Sequence, residues 1–324
     1  MVSALRASVA VLCRVPRLTA GAIPYRTSGL VLMKLVVGCG YLGSRVAALW
    51  REENESVAVV TRSAERALRL QADGYLPVVA DVTDRPSLDR LRRLGSIDSV
   101  LYAVGYDRAS GNTMREVYVE GLRAILDALP TSIQRIIYIS TTGVYAQNDG
   151  SLIDEDSACE PTRGAGRVCL EAESVLRGHA AGTRAIILRL AGIYGPGRIP
   201  RREELLSGKP IAALPDAWLN LVHVDDAARI VLAVDEQVRP PRLYVVSDGH
   251  PVQRREYYAE AARLLRAPPP DFSVGEPQTL TDRRGSTDKR VNNARLRSEV
   301  RFDFQYPSFR EGLSAIIAHE LDQP

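Results

Sequence analysis

The sequence predicts an α/β protein with a doubly wound parallel sheet and a smaller C-terminal lobe. Three observations carry this expectation. From Lys34 onward, short β-branched runs alternate with longer segments of helical period, the pattern of parallel βαβ units. Several of the apolar runs are nearly continuous, as strands covered on both faces must be. The first run also passes into a helix through a glycine-rich turn. A chain of 324 residues, 45% hydrophobic and 25% charged, has core enough for one large α/β domain or two small ones. That composition excludes a disordered, collagenous or membrane-spanning chain, and no apolar run approaches the roughly 18 residues of a spanning helix.

In chain order, strands are expected at Leu35–Val37, Val57–Val60, Leu76–Val79, Ser99–Ala103, Arg135–Ser140, Arg184–Leu190 and Leu243–Val246. Helices are expected at Leu42–Arg51, Ala64–Ala72, Pro86–Leu94, Thr113–Leu129 and Gly166–Gly178. Pro86 suits a first-turn position, where its missing N–H costs no hydrogen bond. After Leu190 the rhythm breaks into turn-rich sequence (AGIYGPGRIP), a short polar helix and the segment LNLVHVDDAARIVLAV. The expected core is 34–190 with about 216–247; about 191–215 and 248–318 form the smaller lobe.

Residues 1–33 stand outside this fold. They hold four arginines (Arg6, Arg14, Arg17, Arg26) and no acid. They read as a disordered extension, a mis-assigned start ahead of Met33, a targeting segment or, failing those, a membrane-surface or partner arm. The formal net charge of +3 belongs to this arm, since 38 of the 42 basic residues remain beyond it against 39 acidic ones. A near-neutral fold does not support a nucleic-acid or membrane partner. Cys13, Cys39, Cys159 and Cys169 contain no CxxC pair, so neither a disulfide framework nor a zinc site is expected, and a reducing, cytoplasmic setting fits.

Gly38-Cys39-Gly40-Tyr41-Leu42-Gly43 matches GxGxxG between an apolar strand and a helix. In that frame the first glycine permits the tight turn, the second lets backbone approach a pyrophosphate, and the third allows close helix packing, making this a Rossmann-type dinucleotide site. The helix N-terminus adds N–H groups and partial positive charge. At the end of the second strand, Thr61-Arg62-Ser63 offers no acid for the ribose 2′-OH of NAD. Arg62 can pair with a 2′-phosphate while Thr61 and Ser63 hydrogen-bond to it, so NADP is favoured over NAD, a solvated surface arginine being the alternative.

With these motifs the chain resembles the extended short-chain dehydrogenase/reductase family, the nucleoside-diphosphate-sugar epimerases and dehydratases, over residues 34–315. Asp81-Val82 resembles the family's adenine-contacting pair, and Ala103-Val104-Gly105 its turn beside the cofactor ribose. Ser140-Thr141-Thr142-Gly143-Val144-Tyr145 is similar to S-S-x-x-V-Y, which implies that Thr141 is the catalytic hydroxyl. Arg189 to Gly197 and Asn220 to Asp226 resemble R-x-x-x-x-Y-G-P-G and N-x-I-H-V-x-D. The departure lies at the chemistry. Aligned on Leu170-Glu171-Ala172-Glu173, the YxxxK positions hold Ala165 and Cys169, and the helical asparagine position holds Tyr118. The pattern is similar to the atypical bacterial branch often called YeeZ-like, a resemblance that implies nucleotide binding more firmly than any reaction.

Helical spacing offers no local substitute, since positions 165, 166, 172 and 173 read Ala, Gly, Ala and Glu. Of the three lysines, Lys34, Lys209 and Lys289, none falls near this segment in sequence. Two classes of function stay open. One is an oxidoreductase or epimerase acting by hydride transfer on a carbonyl or nucleotide-sugar substrate. Thr141 would donate to the substrate oxygen, Tyr145 and Tyr194 are candidate proton donors or, alternatively, packed core-edge tyrosines with bonded hydroxyls, and Arg163 is an electrostatic partner. The other is a non-catalytic NADP(H)-binding sensor, monomeric or homodimeric like the first. Cys169 as nucleophile is disfavoured as a buried thiol. His223 with Asp225 and Asp226 lacks metal-ligand spacing, and the family resemblance implies that this segment caps a helix with the histidine near the cleft wall. Arg283, Arg284, Lys289 and Arg290 read as a solvated basic loop or a holder of substrate phosphate.

Overall fold

Strands form where aliphatic and β-branched residues run together, because such a run packs on both sides of a pleated sheet. In the computed structural model, which describes residues 32–273 and 287–321, seven such runs pair in parallel. They are β1 (Met33–Val37), β2 (Ser56–Thr61), β3 (Leu76–Val79), β4 (Ile97–Tyr102), β5 (Arg135–Thr141), β7 (Ala185–Leu190) and β11 (Arg242–Val246). Their spatial order is β11-β7-β5-β4-β1-β2-β3. The winding reverses between β1 and β4, which opens a crevice at the carboxyl ends of those strands. Short pairs lie outside this sheet: β6 (Asn148–Ile153) with β13 (Asp288–Val291), β8 (Gly192–Tyr194) with β10 (Leu221–His223), and β9 (Trp218–Leu219) with β12 (Val252–Gln253).

Successive residues of one strand enter opposite cores. Leu35, Val37, Val100, Tyr102, Ile136 and Tyr138 face one; Val36, Leu101, Ile137 and Leu188 face the other. The first core is covered by α3 (Arg85–Leu88), α4 (Gly121–Ala128) and α5 (Gly164–Gly178). The second is covered by α1 (Gly43–Glu52), α2 (Ala64–Ala72) and α7 (Val224–Gln237), whose Trp50, Ile230 and Val234 are buried. Each such large apolar side chain contributes about 1.5–3 kcal/mol on burial. A third cluster joins Tyr194 of β8 with Leu205, Tyr257, Phe309 and Leu313, from α6 (Arg202–Ser207), α8 (Arg254–Leu265) and the C-terminal helix Phe309–Leu321. The described residues form one compact unit. No helix among the described residues is long and apolar enough to cross a membrane.

Two expected helices differ in detail. The segment expected at Pro86–Leu94 is one turn of α-helix, with Pro86 in its first turn, followed by a 3-10 turn at Asp89–Arg93. The segment expected at Thr113–Leu129 contains a π-helical turn at Glu116–Glu120 ahead of α4. Gly121 follows that turn directly, and a Cβ there would lie 2.8 Å from Val82 Cγ2, so the helix runs close against the turn after β3. His223 caps α7, its Nδ1 accepting from Asp225 N at 3.3 Å.

Asp248, on the loop after β11, is 2% exposed. Its Oδ1 accepts from His250 N, while burial and the charges of Asp226 and Glu311 push its pKa up to about 7. The native state thus prefers this carboxyl protonated, against an unfolded value near 4. Its contribution to stability falls as pH rises between those values and is constant above about 7. The stability of Asp248→Asn relative to the unchanged protein should therefore rise as pH goes from about 5 to about 8, read as the difference in urea midpoint. A pH-independent difference would contradict the placement of this carboxyl.

Candidate functional site

The turn leaving β1 meets the end of β4 at the reversal of the sheet. Gly38 has φ +96°, and a Cβ there would sit 2.6 Å from the Ala103 carbonyl and Val104 N. Ala103 N in turn donates to Val37 O at 2.8 Å. Gly38, Ala103 and Val104, far apart in sequence, therefore share one wall of the crevice. A Cβ on Gly43 would lie 2.2 Å from Gly38 O, so α1 starts directly against the turn. Gly40 faces open space, with nothing within 4 Å of its missing Cβ. The first turn of α1 carries no acid and its N-cap, Leu42, is buried and makes no side-chain cap. An open glycine beside an uncapped, acid-free helix N-terminus fits a pyrophosphate. Tyr41 closes the far side: its hydroxyl donates to Pro196 O at 3.0 Å, and Arg45 and Arg198 stack on its ring at 4.5 and 5.4 Å.

At the end of β2, Thr61 is buried and its Oγ1 accepts from Ser63 N at 3.4 Å. Ser63 caps α2 by accepting from Arg66 N at 3.1 Å. Arg62 is exposed and pairs with Asp107 at 3.3 Å. Arg66, which sequence reasoning does not single out, folds back so that its guanidinium donates to the Cys39 carbonyl inside the glycine turn. Its position in the first turn after a Ser cap is the available signal. Beside Arg62 lies a cavity of about 360 Å³ lined by Ala80, Asp81, Ser87 and Arg90. The Asp81 carboxylate accepts from Thr83 N at 2.9 Å, and the Val82 side chain belongs to the core.

Thr141 ends β5, and its Oγ1 accepts from Gly143 N at 3.0 Å, leaving the hydroxyl proton to be donated elsewhere. A Cβ on Gly166 would fall 2.4 Å from Gly143 O, so the start of α5 presses on the turn after Thr141. On α5, Ala165 is exposed and Cys169 half-buried. Burial, then the charge of Glu173, pushes the Cys169 thiol up to about 11, which keeps it protonated and unreactive near neutral pH.

Both candidate tyrosines are packed in the interior with their hydroxyls bonded, as the packing alternative has it. Tyr145 is 2% exposed, and its hydroxyl accepts from Arg189 Nη1 at 2.7 Å. Burial raises it to about 12 against the opposing pull of Arg189. Tyr194 is fully buried, donates to Ser308 O at 3.3 Å, and touches Gly312 of the C-terminal helix closely. Arg163 is the N-cap residue of α5, partly buried, and close enough to Lys289 to oppose its charge.

Lys289 is the larger surprise. It is 5% exposed rather than part of a solvated loop, and its Nζ donates to Tyr145 O at 2.7 Å. Burial, then Arg163, lowers it to about 8. A lysine far away in sequence thus reaches the turn that Thr141 begins. Arg290 lies over the Trp218 ring at 5.5 Å and donates to Gly150 O. Arg283 and Arg284 lie outside the described residues.

Residues 34–247 match the NAD dependent epimerase/dehydratase family. The chain is 32% identical to Protein YeeZ of Escherichia coli K12 over 281 residues, 84% of this chain and 95% of that protein. Among solved structures it is similar to a putative NAD-dependent epimerase/dehydratase from Methylobacillus flagellatus, at 28% identity and TM-score 0.72, covering 90% of this chain and 100% of that one. The fold is also that of UDP-glucose 4-epimerase from Thermus thermophilus in complex with NAD, at TM-score 0.74 and 19% identity, covering 90% and 100%.

The two tighter glycines and the open one should separate folding from binding. Gly43→Ala forces a methyl into the Gly38 carbonyl and should cost about 1–3 kcal/mol of stability by urea unfolding. Gly40→Ala should leave the urea midpoint unchanged while weakening binding of a reduced nicotinamide dinucleotide about tenfold or more, by fluorescence titration. Equal effects of both on stability would contradict the geometry.

Proposed function

The chain belongs to the NAD dependent epimerase/dehydratase family, and from that premise we propose that it is an NADP(H)-preferring oxidoreductase or epimerase-like enzyme acting on a carbonyl or nucleotide-sugar type of small molecule. The observation that carries this reading is the cradle at the reversal of the sheet, where Gly40 stands open before the acid-free start of α1. Backbone of Gly38, Gly40, Tyr41, Leu42 and Gly43 would hold the pyrophosphate. Asp81, Val82, Ala103 and Val104 would flank the adenosine half, with Thr61, Arg62, Ser63 and Arg66 at the 2′-phosphate. A bound nicotinamide supplies or takes up hydride.

This chain's own contribution at the reacting end is Thr141. Gly143 N–H fixes its oxygen, so its O–H is available to a substrate oxygen without reorganisation. Arg163 and Lys289 add positive charge along the same turn. With Tyr145 and Tyr194 held in the interior, the proton reaches the substrate oxygen from solvent by way of the Thr141 hydroxyl.

One observation favours a second reading, a non-catalytic NADP(H) sensor: α5 presents alanine and a protonated thiol at positions 165 and 169, while the nearby tyrosines are packed away. Screening aldehydes, ketones and nucleotide sugars for NADPH oxidation or NADP reduction separates the two. The enzyme reading expects turnover that falls about 10²-fold or more in Thr141→Ala. Turnover indifferent to that change sinks the role of Thr141, and none across a broad panel favours the sensor.

A further inference from the structure

Tyr118 stands at the position where the sequence resemblance expects an asparagine, and its hydroxyl has a different task. It accepts from Tyr106 N at 3.0 Å, and the two rings meet edge to face at 6.4 Å. The Tyr106 hydroxyl donates to Asn112 O at 3.0 Å, closing residues 106–112 into a tied loop. Within the loop, Asp107 caps a 3-10 turn at Arg108–Ser110: its Oδ1 accepts from Ala109 N at 2.9 Å, and its carbonyl from Ser110 Oγ at 2.7 Å. The other carboxylate oxygen is thereby aimed at Arg62 Nη2, 3.3 Å away. The Ala109 N–H, then Arg62, holds this carboxyl below the usual carboxylate range, so it is charged at neutral pH.

We infer that Asp107 is a cofactor-specificity residue: a carboxylate delivered from the loop after β4, it holds the Arg62 guanidinium and weakens the preference for a 2′-phosphate. The inference rests on the NADP(H) reading above. A 2′-phosphate must draw Arg62 away from a fixed anion and then stand beside that anion, whereas a ribose 2′-OH carries no charge and can donate to it. The carboxylate thus does from a different strand what an acid at the end of β2 would do, only partly, because Arg62 and Arg66 stay within reach. Discrimination becomes a balance of neighbouring charges at an exposed site, which salt screens.

The experiment titrates NADPH and NADH, by fluorescence, into the full chain and into Asp107→Asn, which keeps the oxygen that caps Ala109. The expected result is NADPH binding tightened about 3- to 10-fold at low salt. NADH binding should be unchanged or weaker, and the gain should shrink at about 1 M salt. Tyr118→Phe, which unties the loop without removing a charge, should move the NADPH-to-NADH ratio in the same direction by a smaller factor. NADPH binding with an unaltered ratio in Asp107→Asn overturns the inference and leaves the cofactor reading standing. Absence of NADPH binding by both proteins overturns the cofactor reading as well.

Discussion

A charged pair sealed between sheet and helix ties α5 to β7 beside the turn that follows β5. Arg189 on β7 and Glu173 on α5 are 4% and 0% exposed and meet through two bonds, Nε to Oε1 at 2.9 Å and Nη2 to Oε2 at 2.7 Å. Burial disfavours both charges, yet the mutual bonds keep Glu173 below and Arg189 above their ordinary values. The cluster around them is densely bonded. Ser140 Oγ donates to Glu173, Arg177 reaches it from one turn on, and Arg189 Nη1 spans the Tyr145 hydroxyl and Cys159 Sγ. Removing one partner of such a pair leaves an uncompensated buried charge, which typically costs about 3–5 kcal/mol. Ser140 precedes Thr141 and Tyr145 ends the following turn, so the pair is bonded to both sides of the segment that carries the Thr141 hydroxyl.

The same constraint explains why the chemistry of this chain looks spare. Tyrosines are plentiful beside the sheet, yet Tyr138, Tyr145 and Tyr194 have their hydroxyls raised by burial and serve packing or bonding inside the protein. Positive charge is brought instead from outside α5. Arg163 comes from the loop before it and Lys289 from β13, which Asn220 grips by accepting from Val291 N and donating to Lys289 O. The cations lie along the turn rather than on the helix, so on the proposed reading a substrate oxygen would meet a hydroxyl and a diffuse field.

Much of this architecture is legible in the sequence, for identifiable reasons. The seven strands of the main sheet are near-continuous apolar runs, and their reading needs only period and composition. The glycine turn is legible because each glycine has a separate steric reason to be there, visible in the contacts a Cβ would make at Gly38 and Gly43. The pairing of β6 with β13 is not legible. NDGSLI is polar and turn-like, and its partner lies about 140 positions away, with no local pattern to join them. Without that pairing, Lys289 reads as part of a solvated basic stretch. Tyr145 and Tyr194 stand out by residue type and proximity to a motif, and only packing shows that both point inward. Arg66 and Asp107 escape because one acts backward across a turn and the other crosses from β4 to β2.

The central claim is that the glycine turn, with Arg62 and Arg66, binds a nicotinamide dinucleotide by its phosphates and prefers the one bearing a 2′-phosphate. Isothermal titration of NADPH and NADH into the unaltered full chain at low and high salt measures it directly. The account predicts micromolar binding of about −8 kcal/mol for NADPH, tighter than for NADH, with the difference narrowing as salt rises. Equal affinities, a tighter NADH complex, or no heat for either dinucleotide would contradict it.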